Sequence, residues 1–151
     1  MPTLCACSAK FDADHANTCA KGGFIIRRHD QIRDMIAELV DDVAFDVRIE
    51  PPLQPITGES LPPPANTDDE ARLDISARGF WQRGAVAFFD VRVFNPFAKT
   101  HLNSNLEKVF KSNESDKYNE RIIRVEHGSF TPIVTSTYGG FGRETCRFIS
   151  K

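Results

Sequence analysis

Four side chains near the N-terminus have the types and spacing of a metal centre: Cys5-x-Cys7-x7-His15-x3-Cys19. They offer three thiolates and one imidazole, and structural zinc takes four such ligands in a tetrahedron. Two cysteines two residues apart grip one side of an ion. His15 and Cys19, four apart, have the spacing of one helical turn and close the other side. Three of the four cysteines fall within residues 5–19 while Cys146 stands alone, a poor disulfide framework and a better ligand set. A piece of this length has too little core to fold unaided, so zinc binding, worth roughly 10–16 kcal/mol in finger peptides, would be its folding energy. The competing reading is a set of free cysteines on a frayed terminus.

A second set is acidic. Asp74 and Asp90 each interrupt an apolar run, and a buried carboxylate needs a partner or a metal. Alternation leaves Asp74 with Arg72 and Ser76, and Asp90 with Arg92, so both can face one polar surface of a hairpin. Glu50, on the polar side of the preceding segment, can join them. Such carboxylates suit Mg²⁺ or Mn²⁺, hard cations that keep several waters, and a metal-bound water can attack a phosphodiester. The cation that offsets charge in such a reaction would be Lys117, on the helical side of Leu106, Phe110 and Asn113. The plainer reading pairs the aspartates with Arg72 and Arg92 and leaves Lys117 solvated near a helix C-terminus, where the dipole favours it. A net charge of -2 gives no general attraction for phosphate. Contact with DNA would then fall to the local cluster Arg27, Arg28, His29 and Arg33.

The elements that must position these residues are legible in outline. With 151 residues, 40% of them hydrophobic, and twelve Phe, the chain can build one compact domain with a small appendage. No run approaches the roughly 18 apolar residues of a membrane span, and Asp12 and Asp14 interrupt the first residues, so neither a membrane partner nor a signal peptide is expected. Residues 1–23 form the Cys/His unit and 24–151 the main domain, with a Pro-rich loop over 51–70. Ile32, Met35, Ile36, Leu39, Val40 and Val43 predict a helix over about 28–42. Val43, Phe45, Val47 and Ile49 alternate with Asp46, Arg48 and Glu50 as a strand with one wet face, ended by Pro51-Pro52. Strands are expected at 71–76 and at 85–94, the second nearly all apolar and therefore central. Gly79 and Gly84 lie between them in a hairpin. A helix over about 102–118 follows, then strands at 120–126 and 130–137 around His127-Gly128-Ser129, then a short terminal helix. The fold class is mixed α/β.

In this order the motifs resemble one family. The Cys5/Cys7/His15/Cys19 knuckle, Arg28-His29-Asp30-Gln31-Ile32, Glu50-Pro51, Arg72-Leu73-Asp74-Ile75, Phe89-Asp90-Val91-Arg92 and Lys117-Tyr118 are similar to the zinc-knuckle and restriction-like endonuclease region of non-LTR retrotransposon proteins, and to reverse-transcriptase-linked reading frames in which stretches like Gly79-Phe80-Trp81 and Phe130-Thr131-Pro132 recur. The resemblance spans nearly the whole chain. It implies a PD-(D/E)xK-type fold, a central mixed sheet flanked by helices with a small zinc knuckle, and an endonuclease that nicks target DNA to prime reverse transcription. By position, Asp74 and Asp90 would be ligands of Mg²⁺ or Mn²⁺ with Glu50 as a further ligand, Lys117 the catalytic lysine, and Tyr118 an accessory catalytic residue. Leu73 stands where the family has Pro, and Arg92 where it has Lys, which moves the lysine role to Lys117 or Lys111. Implied partners are DNA, element RNA and an upstream reverse-transcriptase portion, in an intracellular, nuclear setting. The alternative is a catalytically inactive, zinc-dependent nucleic-acid-binding module. A third reading is an interaction domain whose buried acids merely pair with arginines.

Overall fold

The computed structural model describes residues 3–19, 21, 23–63, 71–98, 100–101, 103–114 and 118–151. A short helix α1 (Ala13–Thr18) leads into the long helix α2 (Phe24–Asp41), followed by β1 (Phe45–Ile49), β2 (Ile75–Arg78) and β3 (Val86–Phe94). Helix α3 (Leu106–Glu114), helix α4 (Asn119–Arg121) running into a π turn (Ile122–Glu126), β4 (Ser129–Ser136) and α5 (Arg143–Ile149) complete the order. The four strands form one mixed sheet in the order β1-β2-β3-β4. β1, β2 and β3 are antiparallel neighbours, and β4 runs parallel to β3 from Ala87↔Ser129 to Phe94↔Ser136. The expected mixed α/β fold, a mixed sheet flanked by helices beside a Cys-rich N-terminal cluster, is what the chain forms. No helix among the described residues is long and apolar enough to cross a membrane.

Strand parity sorts the core. Ile75, Ala77, Phe89, Val91 and Ile133 pack with Ile36, Ala37 and Val40 of α2 and Phe148 of α5. Phe88 packs with Leu53, Leu73 and Ile122, and Phe94 and Val134 with Val109 of α3. Adjacent residues such as Phe88 and Phe89 therefore serve opposite faces, which is why β3 reads as continuously apolar. The buried stripe of α2 is narrower than its periodicity predicts: Met35 and Leu39 are exposed, on the flank of the helix rather than on the sheet. β1 is a thinly covered edge. Asp46 takes a left-handed conformation at φ 54°, the register shifts between Phe45 and Arg48, and Phe45 and Ile49 stay exposed.

Two expectations are corrected. The segment 120–126, expected as a strand, is helical. Its buried positions are Arg121, Ile122 and Val125, with Ile123 exposed, a stripe of helical period. The signal was hidden because Arg121 occupies an apolar-type site: it is fully buried, and its Nη2 donates to the Gln54 carbonyl at 2.8 Å. The strand expected at 71–76 starts only at Ile75. Residues before it run beside 50–53, with Leu53 N–H donating to the Ala71 carbonyl at 2.9 Å and a single bridge between Pro52 and Arg72.

That shift opens a fork between β2 and β3. Past the pair Ile75↔Phe89, the ribbon made by β1, β2 and their extensions peels away from β3. Asp74 and Asp90 stand at the mouth of this fork, one step beyond the last pair.

Candidate functional site

The N-terminal cluster is built by two local devices. Residues 3–11 form a tight loop closed by the Leu4–Lys10 bridge, with Cys5 N–H on the Ala9 carbonyl at 2.9 Å and Ser8 in a left-handed turn at φ 70°. This loop turns Cys5 and Cys7 toward α1. Asp12 caps α1 by accepting the His15 N–H at 2.8 Å, and His15 and Cys19 then project from successive turns. Cys5 Sγ lies 3.6 Å from Cys19 Sγ, Cys7 Sγ lies 3.1 Å from His15 Nε2, and all four ligand atoms fall within 4.8 Å of one another. Tetrahedral zinc with bonds of about 2.0–2.3 Å sets its ligand atoms about 3.5–3.8 Å apart. The donor set fits, and its spacings, from 3.1 Å to at most 4.8 Å, bracket that range, so this cluster could bind zinc. Among the described residues it is the group of three or more His, Cys, Asp or Glu side chains gathered for a metal ion.

Register sets Glu50, Asp74 and Asp90 at neighbouring positions across the strands, but their carboxylates are not among the groups gathered closely enough to share a metal ion among the described residues. Glu50 follows β1, and its N–H donates to the Asp74 carbonyl at 2.8 Å, while Asp74 and Asp90 each lie one residue beyond the Ile75↔Phe89 pair. Each side chain is already engaged. Asp74 Oδ2 accepts the Val91 N–H at 2.6 Å and lies 3.3 Å from His29 Nε2. Asp90 Oδ2 meets Arg92 Nε at 2.8 Å, and Arg92 reaches the Asn113 carbonyl of α3 at 2.9 Å. Glu50 Oε1 meets Arg33 Nη1 at 2.6 Å. Asp90 thus pairs with Arg92 as the plainer reading expects, whereas the partner of Asp74 is His29, not Arg72.

His29 is the residue whose role sequence alone did not reveal. Its Nε2 sits 3.0 Å from the Val91 carbonyl as well as near Asp74, and its Nδ1 sits 3.4 Å from Asp30 Oδ1. All three neighbours are acceptors, so the surroundings select an imidazolium with a proton on each nitrogen. The hydrogen bond to Asp74 is the largest influence. Together with the Asp74 and Asp30 charges and the Val91 carbonyl it outweighs burial and lifts the His29 pKa to about 9. Because β2 has left β3 here, Asp74 and His29 also supply the partners that the Val91 N–H and C=O would otherwise find in a ladder.

Since the folded pKa of about 9 lies above the ordinary histidine value of about 6.5, His29 stabilises the fold fully below pH ~6.5, and that contribution is lost as pH rises through about 9. With the His29 side chain 31% exposed, solvent screening leaves about 1–2 kcal/mol of it. Urea unfolding at pH 6 and pH 9.5 should show this loss in the wild type and a smaller one in His29→Gln. An identical pH dependence in the two proteins would remove His29 as its source.

The other predicted residues are placed as follows. Arg28 hydrogen-bonds the Asn17 side-chain oxygen at 3.1 Å and its carbonyl at 3.4 Å, and Arg33 is held by Asp30, Asp34 and Glu50. Of the basic cluster, Arg27 is the one left exposed, with no partner among the described residues. Tyr118 packs against the Leu53, Leu73 and Phe88 cluster, and Lys111 is exposed in the last turn of α3. Lys117 lies outside the described residues. No protein-family model matches the chain, and no curated protein is similar enough to it to count as a relative.

Proposed function

We propose that the chain is a metal-dependent DNA endonuclease domain of retrotransposon origin, which nicks DNA by attack of a metal-activated water on a phosphodiester. The observation that carries this reading is the placement of Glu50, Asp74 and Asp90 at neighbouring positions where the strands fork. A long helix precedes these strands, and further helical segments and a parallel fourth strand follow them. Carboxylates set at neighbouring positions suit a hard cation. Mg²⁺ or Mn²⁺ held there would supply an activated water and offset charge on the phosphate. Asp74 and Asp90 would hold it, with Glu50 as a further ligand. Arg92 brings positive charge to the slot beside Asp90, with Lys111 or Lys117 as the lysine of the resemblance and Tyr118 as an accessory residue. In the same proposal the Cys/His cluster holds zinc and helps grip DNA. The wider setting is nuclear, with element RNA and a reverse-transcriptase portion as partners.

The test uses zinc-loaded protein and supercoiled plasmid with Mg²⁺ or Mn²⁺ added or omitted, omission being preferred to chelation so that the zinc cluster stays filled. Nicking that requires the added cation is expected. A folded, zinc-loaded protein that leaves the plasmid intact would move the assignment to the second reading, a zinc-dependent nucleic-acid-binding module. That reading is favoured by one observation: Asp74 and Asp90 both have protein cations as partners, His29 and Arg92. It calls for salt-sensitive binding that survives loss of Asp90 and falls when Cys5 or Cys19 is replaced.

A further inference from the structure

We infer that Arg28 and His29, consecutive on α2, are positioning residues that tie the geometry of the acidic fork to the filling of the Cys/His cluster. Its catalytic meaning rests on the endonuclease reading above, while the coupling itself is a matter of geometry. Arg28 grips Asn17 through two acceptors, the side-chain oxygen and the carbonyl. Asn17 sits in α1 between the candidate ligands His15 and Cys19, and the Cys19 N–H closes on the His15 carbonyl at 2.8 Å. A metal that fixes His15 and Cys19 therefore fixes the turn that Arg28 holds. The next residue, His29, holds Asp74 Oδ2 and the Val91 carbonyl on the far side.

Among the described residues little else fixes this turn of the helix. The N-cap of α2 is Gly23 at φ 68°, with no side-chain cap and no acidic residue in the first turn, so the local devices that normally anchor a helix start are lacking. Phe24, Ile25 and Ile26 are exposed, and the buried residues Ile36, Ala37 and Val40 all lie in the second half of the helix. The first turns of α2 are thus held by polar contacts at both ends: to the Cys/His cluster through Arg28, and to the fork through His29.

The readout is hydrogen exchange at the Val91 amide, which donates to Asp74 and reports the fork whether or not the protein cuts DNA. Zinc-loaded wild type, reduced metal-stripped wild type and zinc-loaded Arg28→Ala would be compared. Stripping and Arg28→Ala are each expected to speed exchange at Val91 by about tenfold, the equivalent of one hydrogen bond, while amides at the β3–β4 pairing stay protected. Arg28→Lys, which keeps one donor, should fall between. Should stripping unfold the whole chain, zinc-loaded Arg28→Ala decides alone. Unchanged Val91 exchange in that variant, or a uniform rise across the sheet, would overturn the coupling. Failure to nick plasmid with normal coupling would instead count against the endonuclease reading.

Discussion

Zinc-loaded protein should carry one zinc per chain, and Cys19→Ser should weaken that binding by roughly a hundredfold or more. The estimate follows from the ligand shell: losing an outer partner of a ligand typically costs 10–100-fold in affinity, and losing the ligand itself should exceed that. The consequence for the fold is local and large. Among the described residues of 3–19, Cys19 is the one buried hydrophobic side chain, and Leu4 is 60% exposed. The described part of this segment has almost no core of its own, so a bound metal would supply its stability. Replacement of Cys19 should therefore abolish the ordered loop at 3–11 and helix α1, while the sheet, whose core lies in Ile75, Phe89, Val91 and Ile133, persists. Cobalt substitution, with a tetrahedral thiolate spectrum in the wild type and its loss in Cys19→Ser, is a direct check. Equal metal content in the two proteins would remove Cys19 from the ligand set.

This part of the molecule was readable because its ligands are close together in the chain, and spacing alone brought the four into reach. The sheet was readable for a related reason: β3 and β4 carry dense apolar runs, and the Gly79–Gly84 turn joins β2 to β3 through a bond from the Gly79 N–H to the Ala85 carbonyl. What stayed hidden depends on tertiary partners. Arg121 reads as a surface residue until Gln54 of the Pro-rich loop is seen to receive it, and without it the helical stripe at 118–125 looks like a strand. His29 reads as a base for phosphate until the departure of β2 leaves the Val91 peptide group needing partners. Parity led to the expectation of Asp74 and Asp90 on one polar surface, whereas the engagement of Asp74 with His29, Asp90 with Arg92 and Glu50 with Arg33 depends on tertiary partners. The pairing of Arg33 with Glu50 needs α2 laid against the end of β1, which no local pattern encodes.

The double role of Asp74 dictates how its part in catalysis must be tested. Asp74→Ala removes the acceptor for the Val91 N–H and the counter-charge for His29 together. Both are partly buried, so the variant should be less stable by about 2–4 kcal/mol, and a loss of cutting in it would be ambiguous. Asp74→Asn separates the roles. Its side-chain oxygen can still accept from Val91, so urea unfolding should place it nearer the wild type than Asp74→Ala. Its lost charge should remove a hard metal ligand and lower nicking by roughly a thousandfold. The pair of variants thus reads two properties of one carboxylate. Equal stability of Asn and Ala variants would mean that Asp74 does not cap the fork. Wild-type nicking by a pure Asp74→Asn protein would mean that these acids are a structural device for holding β3 where β2 leaves it, and that any phosphodiester chemistry lies elsewhere in the molecule.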